Sequence, residues 1–171
     1  MSRAEHVCPI PRVIRQTEST MELTAELQAR CPPETLFYWV EDLSRYTRWM
    51  TIVHRAEPED TADGANTAAG SAWTVDLRAK VGPFSRTKRL RMVRVVCDEP
   101  HRAVFERAEL DGRDHGRWRM NAGVSPVDGG SRLAMSLQYD GRLWGPAIGA
   151  ILADEIERSR AQLAELVMAE T

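Results

Sequence analysis

Four side chains have types and spacing that could do chemistry together: Arg94, Glu106, Trp118 and Tyr139. Each lies in an alternating apolar run. Strand side chains alternate between faces, so residues facing each other across a turn can be paired by arithmetic. Across Asp98-Glu99-Pro100, pairing Val96 with Val104 sets Met92 opposite Ala108, Leu90 opposite Leu110 and Arg94 opposite Glu106. The other face then pairs Arg91 with Glu109 and Arg89 with Asp111. A three-residue loop at Asp111-Gly112-Arg113 sets Glu106 opposite Trp118 and Val104 opposite Met120. Closing Val127 to Gly130 as a loop pairs Val124 with Leu133, Ala122 with Met135, Met120 with Leu137 and Trp118 with Tyr139. The hairpin at Gly82-Pro83 leaves two registers open, with Trp73 beside either Arg94 or Met92. Two charges on an apolar face are costly unless paired, and Arg with a carboxylate is the pair whose planar geometry best suits burial. Arg94 and Glu106 are then either a satisfied ion pair near a sheet edge or a polar belt. Such a belt would orient a carbonyl or carboxylate while the aromatics stack on its body. A slipped register would instead leave Arg94 in solvent.

Other reactive types offer less. His6, His54, His101 and His115 are scattered, without metal-ligand spacing, and no metal or cofactor is expected. Cys8, Cys31 and Cys97 are odd in number and far apart, which fits a reducing cytoplasm better than a disulfide framework. Ser159 has no histidine that can be placed beside it as a base, and reads better as a hydroxyl facing a cavity. Glu109 and His115 read as an outer-face pair of little energetic weight. The basic run from Arg86 to Arg94 puts charge on both faces, which favours a solvated sheet over nucleic acid. A net charge of −2 agrees. No apolar run approaches the roughly 18 residues of a membrane span, and the start lacks an apolar signal core. A length of 171 residues with 43% hydrophobic residues implies one domain with a sizeable core. Whether two copies associate as a homodimer stays open.

The elements that must position these side chains begin after a loose lead-in over 1–17. Period-two alternation from Thr20 to Arg30 predicts a half-buried strand. Cys31-Pro32-Pro33-Glu34 opens a helix over 34–42, and Ser44 caps a second short helix through Tyr46 and Trp49. Met50 to Glu57 reads as the next strand and 58–71 as a loop. Five strand-like runs follow, over 73–80, 88–97, 103–110, 114–126 and 131–139, divided by short turns as in an antiparallel meander. From Pro146 to about Ala169, Ile148, Ile151, Leu152, Ile156, Leu163, Leu166 and Val167 form one apolar stripe of a long helix. Glu155 and Ser159 fall inside that stripe. A dry core would avoid them, so the stripe is expected to face a cavity as well as a core.

This order, with Pro32-Pro33-Glu34-Thr35-Leu36-Phe37-Tyr38-Trp39-Val40-Glu41-Asp42-Leu43-Ser44-Arg45-Tyr46-Thr47-Arg48-Trp49-Met50 after the first strand, resembles the START-like (SRPBCC, helix-grip) superfamily and its polyketide cyclase/dehydrase-like branch. The resemblance covers about Glu18 to Met168. It implies an α+β helix-grip fold, in which a curved antiparallel seven-stranded sheet wraps a long terminal helix around an apolar cavity. The implied activity is binding of a polyketide-, isoprenoid- or lipid-like molecule. Its walls are expected at Trp49, Trp73, Val75, Leu77, Leu90 and Met92, and at Trp118, Met120, Met135 and Leu137. Leu152, Glu155 and Ser159 would close it from the helix, with Glu155 in reach of Arg94. An aromatase/cyclase is the alternative, with Arg94 stabilising an enolate while Glu106 or Tyr139 moves protons. A non-catalytic, coenzyme-Q-like delivery module is the third, with an apolar rim near Trp49 and Trp144. No Rieske-type Cys/His set or facial triad supports an oxygenase.

Overall fold

The computed structural model describes residues 15–17, 20–60, 70–140 and 148–169. One antiparallel sheet carries the chain. Its strands are β1 (Arg15–Thr17), β2 (Thr20–Ala29), β3 (Val53–Pro58), β4 (Ala72–Val81), β5 (Phe84–Asp98), β6 (Arg102–Arg107), β7 (Trp118–Val127) and β8 (Gly130–Asp140). Their order is β1-β2-β8-β7-β6-β5-β4-β3. Strands β2 to β8 are the seven expected. The addition is β1, a short edge strand on β2 within the stretch read as a loose lead-in. Helix α1 (Pro33–Val40) and a 3-10 turn (Leu43–Arg48) join β2 to β3, and α2 (Ile148–Ala169) closes the chain. The expected start of that last helix at Pro146, and Trp144, lie outside the described residues.

Prolines open α1 where a missing N–H costs nothing, and Glu34 sits in its first turn. Asp42, not Ser44, caps the next turn: its carboxylate accepts from the Ser44 backbone N–H at 2.9 Å. The two pieces are then pinned to each other and to the sheet. Tyr46 donates to the Val40 carbonyl at 3.0 Å, and the Trp49 indole donates to the Trp39 carbonyl at 3.3 Å. From β4, the Trp73 indole N–H reaches Asp42 and Ser44, both at 3.1 Å. Phe105 packs edge-on against both Trp73 and Tyr46. The core thus sits on the concave face of the sheet, beneath α1, the 3-10 turn and α2.

The hairpin registers decide which side chains share that face. Strands β7 and β8 pair as the loop arithmetic predicts, Trp118 with Tyr139 and Met120 with Leu137. Of the two registers left open for β4 and β5, the structure has Trp73 opposite Met92. The β5–β6 pairing corrects the expectation. Val96 does face Val104, but a bulge at Val95 puts Arg94 opposite Phe105 and Val93 opposite Glu106. A bulge adds one residue to one strand, and a one-residue slip moves every later side chain to the other face. Glu106 therefore leaves the concave face, as the β6–β7 register also requires by pairing it with Arg119.

Candidate functional site

Between the sheet and α2 lies a cavity of about 150 Å³. Its floor is built by period-two alternation. Val75 and Leu77 come from β4, Leu90 and Met92 from β5, Trp118 and Met120 from β7, and Met135 and Leu137 from β8. Leu152, Glu155 and Ser159 face it from α2, and Trp49 lines it from the segment after the 3-10 turn. Of the expected wall residues, Trp73 alone is not on this surface, being held instead against Asp42 and Phe105. The wall also includes residues that sequence reasoning missed: Leu23, Ala25 and Leu27 on β2, and Met50 and Ile52 beyond the 3-10 turn. Alternation on β2 was legible and contained the first three. Met50 and Ile52 sit in a turn with no periodicity to mark them. Methionines at 50, 92, 120 and 135 give the lining unbranched, polarisable side chains that adapt to varied shapes.

The polar residues of the stripe have a structural explanation. Glu155 does not reach for Arg94. Its carboxylate accepts from the Thr51 hydroxyl and from the Ile52 backbone N–H at 3.0 Å. Ser159, one turn on, contacts the same oxygen at 3.5 Å. The other carboxylate oxygen faces Arg158 at 3.5 Å. Glu155 thus fastens α2 to the turn entering β3.

The four side chains expected together are separated. Arg94 stays on the concave face, buried, but turns toward α1: it donates to the Glu41 carbonyl at 2.8 Å and to its carboxylate at 3.2 Å. Glu41 ends α1, where a cation satisfies the last carbonyls and the helix dipole. The guanidinium lies 5.7 Å from the Trp73 ring, and its Nε has no hydrogen-bond partner among the described residues. Glu106 stands half-exposed on the convex face, paired with Arg119. Tyr139 is fully buried, stacked on Trp118 at 5.2 Å, with its hydroxyl on Met21 Sδ at 3.1 Å. Burial pushes the Tyr139 phenol above its ordinary pKa, and does the same to Tyr46.

The outer-face pairs differ as well. Arg89 pairs with Asp76 at 2.7 Å and Arg91 with Glu59 at 2.9 Å. Hydrogen bonding from Arg89 holds the Asp76 carboxyl below its ordinary range. Glu109 and His115 meet only through Arg107, whose Nε donates to Glu109 at 2.7 Å and whose Nη2 lies 3.2 Å from His115 Nδ1. Among the described residues no cluster of His, Cys, Asp or Glu could hold a metal ion. No helix there is long and apolar enough to cross a membrane. Trp49, expected near an exposed rim, is buried.

An open-ended sheet gripping a terminal helix over an apolar cavity defines a helix-grip protein. Residues 20–168 match the family described as polyketide cyclase / dehydrase and lipid transport, and the chain belongs to that family. Several solved structures share the fold. A Rhodobacter sphaeroides protein is 19% identical with TM-score 0.60, over 93% of this chain and 99% of its own. A Thermus thermophilus protein is 18% identical with TM-score 0.64, over 88% of this chain and 99% of its own. The di-domain ARO/CYC BexL of the BE-7585A biosynthetic pathway is 13% identical with TM-score 0.62, over 85% of this chain and 49% of BexL. No curated protein is detectably similar in sequence.

Proposed function

We propose that this protein binds a hydrophobic small molecule of polyketide, isoprenoid or lipid type in the cavity between the sheet and α2. The observation that carries the reading is the lining: apolar side chains from β2, β4, β5, β7 and β8, with the cavity's buried carboxylate, Glu155, already engaged by Thr51 and Ile52. Buried apolar wall that no side chain fills is stabilised when an apolar ligand covers it. An apolar cavity of about 150 Å³ admits a benzene-sized ring, and four methionines can yield to a longer chain.

A cyclase reading asks for a cation, a carboxylate and a phenol converging on one carbonyl. Here Arg94 caps α1, Glu106 is on the convex face and Tyr139 is held by Met21, so that set gives catalysis no support. The test is titration of the purified protein with the neutral dye N-phenyl-1-naphthylamine, together with native mass spectrometry of whatever co-purifies. Saturable dye binding at one site, competed by the co-purifying molecule, is expected. Absence of saturable binding sinks the proposal.

A further inference from the structure

Lys88 faces Leu77 directly across the β4–β5 pair, and facing residues share a side of the sheet. Leu77 and Leu90, two residues from Lys88, both line the cavity. Lys88 therefore stands on the concave side, half-buried, next to the lining residues Leu77 and Leu90 but not itself on the cavity surface. Its ammonium has no hydrogen bond or ion pair with any described residue. Burial and the neighbouring Arg107 push its pKa down, against an opposing pull from Glu109.

Arg107 lies on the same face, opposite Met92, with its side chain 6% exposed. It is held by Glu109, by the Gly116 carbonyl at 3.4 Å and by His115. Glu109 is the acid this group faces, and it is already shared between Arg107 and the Arg91 backbone N–H at 3.3 Å. His115 in turn is occupied by Asp111 at 2.8 Å. Lys88 and Arg107 thus stand against two carboxylates, Glu109 and Asp111, and Lys88 is the cation that neither of them hydrogen-bonds. A second observation points the same way. Trp118, on the cavity wall one strand from Arg107, has a buried indole N–H without an acceptor among the described residues. A buried donor without an acceptor is destabilising, so an acceptor is owed beside Trp118 on this wall.

We infer that the cavity's ligand is amphipathic and anionic: an apolar body on the Leu77, Leu90 and Met92 wall, and a carboxylate received by Lys88 at its edge. This rests on the cavity reading above and names the chemical class of its occupant.

The test is displacement of N-phenyl-1-naphthylamine at pH 7.5 by octanoate and by 1-octanol, which share a chain and differ in charge. Wild type should prefer octanoate. Lys88→Met should weaken octanoate about tenfold, as expected for a charge-assisted contact, and leave octanol and dye unchanged. Lys88→Arg should retain the octanoate preference. Unchanged dye and octanol binding in Lys88→Met also shows that the variant is folded. Equal affinities of wild type for the two chains, or octanoate binding indifferent to Lys88→Met, overturns the inference while leaving the cavity reading intact. Failure of the dye to bind wild type overturns both.

Discussion

Replacing Glu155 tests whether the polar interruption of α2 is a fastening or part of the cavity's chemistry. The residue is 8% exposed, and one of its oxygens collects the Thr51 hydroxyl, the Ile52 N–H and, more weakly, the Ser159 hydroxyl. Truncation to alanine removes two hydrogen bonds to a carboxylate oxygen and leaves the Ile52 N–H unpaired. At about 1.5 kcal/mol for each such bond, Glu155→Ala should cost roughly 3 kcal/mol. The pairing with Arg158 adds little, because that side chain is 63% exposed. For a chain of this size the melting temperature should fall by about 6–12 °C. Glu155→Gln keeps an acceptor oxygen in place and should lose only about 1 kcal/mol. Differential scanning calorimetry of both variants, with Thr51→Val and the Thr51→Val/Glu155→Gln double variant, gives the coupling between hydroxyl and carboxylate. A Glu155→Ala variant that melts with wild type, or Thr51 and Glu155 effects that simply add, would refute the fastening.

Glycine at 130 is required for space. A Cβ there would overlap the Ala29 carbonyl oxygen and lie 3.0 Å from Arg30 Cα, so Gly130→Ala should destabilise by about 1–3 kcal/mol in urea unfolding. Asp76 should shape the acid limb of stability. Its folded pKa is depressed by Arg89, so its contribution is complete above the ordinary aspartate value of about 3.9 and fades as pH falls through the lower folded value. Asp76→Asn should lower stability at neutral pH and flatten that limb in pH-dependent denaturation; an unchanged limb refutes the assignment. Glu106→Gln should leave dye affinity unaltered and stability within about 0.5 kcal/mol, since its Arg119 partner is a half-exposed surface pair. Arg94→Met should cost roughly 2 kcal/mol through the lost Glu41 contacts, read by chemical denaturation, again with the cavity's dye affinity kept.

How far the sequence could be read depended on whether a turn constrained the register. The Val127–Gly130 loop fixes β7 against β8, and every pair there follows from alternation alone. Between β5 and β6 the same arithmetic meets two neighbouring apolar residues, Val104 and Phe105, either of which satisfies an inward position. Sequence pattern cannot choose between them. Packing does: Phe105 fits between Trp73 and Tyr46, and Val95 is extruded to allow it. Glu155 was visible as an anomaly in the stripe, but its partners were not. They are a hydroxyl and a backbone N–H more than a hundred residues away, in a turn that carries no periodic signal. Lys88 was hidden for the opposite reason, inside a basic run whose charges fall on both faces and read as solvated.

These departures have a common consequence for how polarity is distributed around the cavity. The bulge at Val95 takes Glu106 off the concave face, and α1 takes up Arg94 through its C-terminal carbonyl. The β3 turn takes up Glu155. Arg94 and Glu155 are thereby consumed in holding a helix and a turn against the sheet, while Glu106 is left in a surface pair with Arg119. Burial of a charge is tolerable when it is paired in this way, and a wall freed of competing charges is better suited to an apolar body. Lys88 is different in kind, because no element of the frame uses it and Glu109, the carboxylate that acts on it, is already shared. A cation left over beside a mostly apolar wall gives the cavity a direction. A symmetrical hydrocarbon would gain nothing from it, whereas a chain or ring ending in an acid would bind in one orientation only.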